Sequence, residues 1–162
     1  MSIEAISSRV ALGLGANLGQ PQATFQRVCE ALSAGGVFSL RMASCYQTEP
    51  VGCHPGTPLF TNSAVIGLWQ GSPQQLLALT QRIEVQLGRP RLHDSQGSRQ
   101  IDIDLLLFDD LCLNAPELCI PHPRLCQRMF VLQPLAEIAP NWPIPPTRKT
   151  VAEILQEIER KG

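Results

Sequence analysis

The sequence predicts an α+β protein: a ferredoxin-like antiparallel sheet with helices packed on it and a C-terminal extension. The first observation is the order of apolar periodicities, which runs strand, helix, strand, strand, helix, strand. The second is composition, because 44% hydrophobic and 17% charged residues argue against disorder. The third is length, since 162 residues suit one domain, residues 1–162, with one substantial core.

The first part of the chain predicts a strand, a helix and a second strand. Residues 9–15 have the apolar character of a strand, and Pro21 suits the first turn of a helix. Apolar residues at helical spacing follow from Phe25 to Leu32, and the helix is expected to end near Gly35. Residues 37–46 predict the second strand. The glycines at the end of the first strand do not have dinucleotide-loop spacing, so they indicate a tight turn or a close backbone approach.

A long irregular segment separates the second strand from the third. Residues 47–59 contain three prolines and two glycines, which predicts a functional loop. The third strand is expected from Phe60 to Trp69, and a helix follows it. Ser72 and the glutamine three residues later form a capping box at the start of that helix, and Gly88 ends it.

The fourth strand carries an acidic pair. Side chains alternate along a strand, so Asp102 and Asp104 are expected on one face, while Ile101 and Ile103 point into the core. Two adjacent carboxylates repel each other, and a cation between them relieves that repulsion. Arg99 is one candidate, and a divalent metal is the other, because hard cations prefer carboxylate oxygen. A solvated strand end is the ordinary alternative for such a pair.

The remaining third of the chain is the predicted C-terminal extension. A short hairpin is expected with residues 111–113 and 118–120 as its arms, followed by a helix over 130–139. Prolines mark residues 140–146 as a connector. Thr150 opens the last helix with a second capping box.

Charge and cysteine content restrict the class of protein. The net charge of −1 gives no general attraction to nucleic acid or acidic membranes. Eleven of the 13 basic residues are arginine, the side chain best suited to forked contacts with phosphate, and four of them fall between residues 82 and 99. The six cysteines lack metal-site spacing and no signal peptide is apparent, so we expect reduced thiols in a cytoplasmic protein.

Several motifs together resemble the family of 6-hydroxymethyl-7,8-dihydropterin pyrophosphokinases of folate biosynthesis. The match keeps its order over nearly the whole chain. Its most specific part is Arg-x-Ile-Asp-Ile-Asp followed by Pro-His. The matching segments are 13–19, 46–52, 60–62, 81–84, 88–89, 99–104 and 120–124.

The resemblance implies a reaction and a set of site residues. ATP would give its β,γ-pyrophosphoryl group to the hydroxymethyl oxygen of a reduced pterin, leaving AMP, with two Mg²⁺ ions as cofactors. Asp102 and Asp104 would hold the metal and, with Arg89 and Arg99, form the catalytic set. The implied pterin-binding residues are Thr48, Val51, Phe60, Asn62 and Phe130. The implied ATP-binding residues are Gln81, Glu84, Arg89, Arg91, Arg99, Ile103, His122 and Arg128. The substrates would be its only partners, with no nucleic acid or membrane, and the protein is expected to be a monomer or a weak dimer.

The chain departs from the family pattern in its basic loop. Some members carry an Arg-Trp pair that closes over the substrates, whereas the aligned positions here are Ser95 and Gln96. Loss of that pair should weaken closure. Pro123 and Phe60 also replace common aromatic residues of the family. A second hypothesis is therefore a protein that binds pterin and ATP without useful catalysis. An RNA-binding module is the third, although aromatic residues make up only 5% of the chain.

Overall fold

The computed structural model describes residues 6–17, 20–48, 60–88 and 101–161. The strands are β1 (Ser8–Ala16), β2 (Phe38–Met42), β3 (Tyr46–Thr48), β4 (Phe60–Trp69), β5 (Asp102–Phe108), β6 (Leu113–Ala115) and β7 (Leu118–Ile120). The helices are α1 (Pro21–Ala34), α2 (Pro73–Leu87), α3 (Met129–Ile138) and α4 (Val151–Lys161), and a 3₁₀ turn covers Leu125–Gln127. None of the helices in these ranges is long and apolar enough to cross a membrane.

The main sheet has the strand order β2-β4-β1-β5, and all of its pairs are antiparallel. This order confirms the predicted ferredoxin-like α+β sheet. The predicted second strand, residues 37–46, is broken in two, because β2 and β3 pair with successive parts of β4. Between them the backbone N–H of Ser44 donates to the carboxylate of Glu137 on α3.

Two hydrophobic clusters cover the two faces of this sheet. Helices α1 and α2 contribute Phe25, Leu32 and Leu76 to the first cluster, all fully buried. Helices α3 and α4 of the predicted C-terminal extension form the second cluster on the opposite face, with Leu132 at 0% exposure. The alternation of β5 side chains between the two faces of the sheet is interrupted at a bulge, where Leu106 is the extra residue opposite β1.

The local start and stop signals are confirmed at several helix ends. The Ser72 and Thr150 capping boxes both form, and the N–H of Gly88 caps α2. The prediction for the first hairpin arm was wrong by two residues. Residues 109–110 form a turn after β5, so the arm that pairs with β7 is 113–115 rather than 111–113.

Candidate active site

The candidate site is built on one row of residues that crosses four strands. Tyr46 of β3 lies opposite Asn62 of β4, Asn62 lies opposite Gly15 of β1, and Gly15 lies opposite Asp102 of β5. Directly paired residues project to the same side of a sheet, so Asn62 and Asp102 share a face with only a glycine between them. Two strand spacings, about 10 Å, separate their backbones.

The next row brings the second carboxylate to the same face. Asp104 lies opposite Gly13, two residues from the Asp102–Gly15 pair. Ile101 and Ile103 are buried in the α1–α2 cluster, on the other side. This confirms the prediction that the acidic pair points away from that core. Gly13 and Gly15 lie within a strand, so the predicted tight turn is wrong for them. A close approach is found at Gly15, where a Cβ atom would lie 2.7 Å from the Phe60 ring.

A cavity of about 480 Å³ opens over these rows. Helix α3 contributes Phe130 and Val131 to its wall, and β4 contributes Phe60. Seven of the predicted site residues line it: Thr48, Phe60, Asn62, Asp102, Asp104, Arg128 and Phe130. The structure thus brings together an aromatic wall, a buried amide and two carboxylates in one concave site, which is the usual form of a small-molecule site.

The orientation of the Asn62 amide is fixed by its neighbours. Its Nδ2 donates to Thr48 Oγ1 at 3.2 Å, and the hydroxyl of Thr48 in turn donates to the carbonyl of Phe60 at 3.5 Å. The side chain of Asn62 is 4% exposed, so a free amide oxygen there needs a donor. The arrangement leaves Asn62 Oδ1 available to accept a hydrogen bond from the N–H edge of a flat ligand.

Asp104 also borders a second cavity of about 280 Å³. Ile103, Leu77 and His122 line this cavity together with residues of the β6–β7 hairpin. Asp104 therefore borders both spaces. Such a pair of spaces can accommodate two ligands whose reacting groups meet at this carboxylate.

Glu84 is buried and has a backbone hydrogen-bond partner that the sequence did not predict. The residue is 8% exposed, and one carboxylate oxygen accepts the backbone N–H of Ile103 at 2.9 Å. Because β5 is an edge strand, this bond holds its outer edge against α2. Gln81, one turn earlier on α2, is exposed and lines neither cavity.

His122 is held by two backbone hydrogen bonds. The backbone N–H of Arg124 donates to its Nδ1 at 3.2 Å, so Nε2 is the ring nitrogen that remains for a ligand. Its own backbone N–H donates to the carbonyl of Leu106, so the residue is tied to β5. Burial lowers the pKa of His122 below its usual value; Arg128 and Arg124 lower it further, and Asp104 partly opposes them.

The aromatic wall carries a positive charge beside it. The guanidinium carbon of Arg128 lies 5.5 Å from the centre of the Phe130 ring, within cation–π range. Both side chains face the large cavity. A cation at this point can contact an anionic ligand that extends from the aromatic wall toward the carboxylates.

A group of hydrogen bonds that the sequence did not predict joins helix α3 to Ser44 and to Tyr46 of β3. Glu137 of α3 accepts from the N–H of Ser44 at 2.9 Å, from its hydroxyl at 3.1 Å and from Tyr46 Oη at 2.7 Å. The hydrogen bond from Tyr46 is the main cause that lowers the pKa of Glu137, and the same bond raises the pKa of Tyr46. Nothing in the spacing of these residues could have indicated a contact across 91 positions.

The other predicted site residues lie outside the described ranges. These are Val51, Arg89, Arg91 and Arg99, together with the Ser95 and Gln96 positions of the basic loop. Their predicted roles therefore stay predictions. The cysteines within the described ranges are free thiols, as expected.

The chemistry of the acidic pair fits magnesium bound together with a phosphate ligand. Within the described ranges, no three His, Cys, Asp or Glu side chains converge on a possible metal position. Magnesium is usually held by one or two carboxylates plus substrate phosphates and water, not by a full set of protein ligands. Asp102 and Asp104 on one face of β5 match that limited donor set.

Taken with the sheet order, this cavity defines an α+β protein of ferredoxin-like topology with a ligand site between the sheet and α3. A family model described as 7,8-dihydro-6-hydroxymethylpterin-pyrophosphokinase matches residues 11–140. The chain therefore belongs to that family.

Individual relatives agree with this assignment. The chain is 36% identical over 149 residues to the 2-amino-4-hydroxy-6-hydroxymethyldihydropteridine pyrophosphokinase of Synechocystis sp., covering 91% of this chain and 75% of the relative. It is 40% identical over 129 residues to the Bacillus subtilis protein of the same name, covering 78% and 75% respectively.

Solved structures show the same fold. A triple mutant of Plasmodium falciparum HPPK-DHPS matches 96% of this chain with a TM-score of 0.72 at 14% identity. This chain spans 44% of that larger protein's chain. At such identity the likeness concerns the fold alone.

Proposed function

We propose that this protein transfers the β,γ-pyrophosphoryl group of ATP to the hydroxymethyl oxygen of 6-hydroxymethyl-7,8-dihydropterin, a step of folate biosynthesis. The pterin oxygen forms a bond to the β-phosphorus, the bond from that phosphorus to the α-phosphate oxygen breaks, and AMP leaves. The hydroxyl proton is released. The observation that carries the proposal is the single cavity that joins Asn62, the aromatic wall and the acidic pair.

The pterin fits the large cavity by its shape and hydrogen-bonding edge. A flat bicyclic ring would lie between Phe60 and Phe130, where stacking on aromatic faces is favourable. The N–H edge of the ring would meet Asn62 Oδ1, with Thr48 holding the amide in place. Val51 is proposed to contribute a backbone contact at the same edge. The hydroxymethyl group would then point along the row toward Asp102.

ATP would occupy the space on the other side of the carboxylates. Ile103 and His122 line that smaller cavity, and Glu84 fixes the backbone of Ile103. We propose that Arg128 contacts the transferred phosphates from the pterin side, and that Arg89, Arg91 and Arg99 contact them from the basic loop. Gln81 is proposed to contact the nucleotide from the exposed face of α2. Arginine suits these roles because its planar fork pairs with phosphate oxygens.

The acidic pair would hold two Mg²⁺ ions that arrive with the nucleotide. Magnesium neutralises phosphate oxygens and can activate the attacking hydroxyl. Asp102 faces the large cavity, whereas Asp104 borders both cavities. Both positions support the proposal that these carboxylates would hold the ions beside the triphosphate. We further propose that residues 1–162 act as a single domain in the cytoplasm, as a monomer or weak dimer without nucleic-acid partners.

The test is AMP formation by the purified protein from ATP, Mg²⁺ and 6-hydroxymethyl-7,8-dihydropterin. The proposal predicts AMP and dihydropterin diphosphate in equal amounts, and loss of both in Asp102→Asn and in Asp104→Asn. Ser8→Ala, at the far end of β1 from the site, serves as the control substitution. If the folded wild-type protein binds both substrates in calorimetry but makes no AMP, the chain is a binding protein and the proposal is wrong.

A further inference from the structure

We propose that Gly15 is a positioning residue of the pterin site, because its missing side chain leaves the space in which the ring of Phe60 stands. This inference rests on the function proposed above. A Cβ atom at Gly15 would lie 2.7 Å from Cε1 and 3.2 Å from Cζ of Phe60. Both distances are shorter than ordinary van der Waals contact between carbon atoms, about 3.5–4.0 Å.

The position of Gly15 in the sheet places the space occupied by the Phe60 ring within the proposed binding site. The residue lies between Asn62 and Asp102 in the row that crosses the floor of the cavity. The same absent Cβ would lie 3.5 Å from Asn62 Oδ1, the oxygen available to the ligand. Gly15 thus determines how closely the Phe60 ring approaches both β1 and the hydrogen-bonding amide.

A requirement for glycine at position 15 that serves only the fold explains the contact between Gly15 and the Phe60 ring less well. Gly15 sits inside a regular strand, paired on both sides, and its backbone does not adopt the left-handed conformation that favours glycine. The atoms that a Cβ would meet belong to the far end of a half-buried side chain at the start of β4. The fold can accommodate alanine by rotation of that ring. The expected consequence is a displaced aromatic wall within an intact fold.

Gly13 provides a matched comparison on the same face of the same strand. A Cβ atom there would meet the Leu106 side chain at 3.5 Å, an ordinary contact. The two glycine-to-alanine changes therefore share the backbone effect of replacing a strand glycine, and differ in their effect on Phe60. A loss at Gly15 that depends on the Phe60 ring, where the effect at Gly13 does not, reports the ring position.

The experiment measures KM for pterin, KM for ATP, kcat and the melting temperature of wild type, Gly15→Ala and Gly13→Ala. We expect Gly15→Ala to raise the pterin KM about tenfold and to change the ATP KM less than about twofold, because misplacement by about 1 Å costs substantial affinity or rate. Gly13 lies opposite Asp104, so Gly13→Ala can change activity by itself, but any effect on the pterin KM should be the same with Phe60 or Leu at position 60.

A double-substitution cycle with Phe60→Leu separates positioning from a general loss of stability. Leucine lacks the two ring atoms that the new Cβ would meet, so adding Gly15→Ala to Phe60→Leu should raise the pterin KM less than about twofold. An equal effect of Gly15→Ala in both backgrounds would overturn the proposal. If Gly15→Ala alone does not fold, the proposal requires that Phe60→Leu restores folding, and failure to do so overturns it.

The outcomes also distinguish this inference from the proposed function. A wild-type protein that makes no AMP refutes the proposed function. A wild-type enzyme that is active, with Gly15→Ala equal to it in pterin KM, refutes only the positioning role.

Discussion

Removing the carboxylate of Glu137 should loosen the connection between α3 and β3 beside the proposed pterin site. Glu137→Ala deletes three hydrogen bonds, at 2.7, 2.9 and 3.1 Å, that connect α3 to Ser44 and Tyr46. Hydrogen bonds to charged groups contribute about 1.5–3 kcal/mol when buried, but this carboxylate is exposed, so we take about 0.5 kcal/mol for each. The sum is about 1–2 kcal/mol, or a fall in melting temperature of roughly 2–8 °C.

The assay combines thermal unfolding with substrate kinetics. Because Tyr46 pairs with Asn62 and α3 carries Phe130, the variant should also show a raised pterin KM with an unchanged ATP KM. Glu159→Ala, at an exposed glutamate on α4, is the control and should change neither quantity.

The pH dependence gives a second, independent readout of this connection. The hydrogen bond from Tyr46 lowers the pKa of Glu137 in the folded state, so the stabilisation is fully present above the unfolded glutamate pKa, about 4.3. It is lost as the pH falls through the lower folded value. The stability difference between wild type and Glu137→Ala should therefore shrink on acidification. Equal melting temperatures and equal pterin KM values at neutral pH would refute the reasoning.

Three further predictions follow from the site and the core. In an NMR titration the ring of His122 should titrate below the usual histidine pKa. The protein should therefore lose stability as the pH falls from the unfolded histidine pKa, about 6.5, through the lower folded pKa. A measured pKa at or above 6.5 contradicts this. Asn62→Leu should raise the pterin KM without altering that for ATP, because it removes the buried hydrogen-bond acceptor; an unchanged pterin KM contradicts it. Leu132→Ala should lower the free energy of unfolding by about 2–5 kcal/mol in denaturant titrations, and a loss under about 1 kcal/mol contradicts full burial.

Local patterns in the sequence were sufficient to predict most elements of the fold. The strand alternation placed Asp102 and Asp104 on one face, and the capping boxes at Ser72 and Thr150 marked two helix starts. These signals depend on contacts within a few residues, so they can be seen in one sequence. The ferredoxin-like plan was predicted because the order of strands and helices along the chain allows few topologies.

The features that could not be predicted all depend on contacts between distant parts of the chain. The break between β2 and β3 arises where Ser44 bonds to Glu137, 93 positions away. The bulge at Leu106 interrupts the alternation of side chains between the two faces of β5, and only the pairing of β5 with β1 reveals it. The close approach of Phe60 to Gly15 likewise requires the assembled sheet.

The most direct test of the central claim is a count of divalent ions bound with a non-hydrolysable ATP analogue. Manganese can replace magnesium and be followed by electron paramagnetic resonance. The account predicts two ions per bound nucleotide in the wild type and loss of at least one in each of Asp102→Asn and Asp104→Asn, with the melting temperature preserved. An unchanged ion count in both folded variants would contradict the assignment of the acidic pair as the metal site.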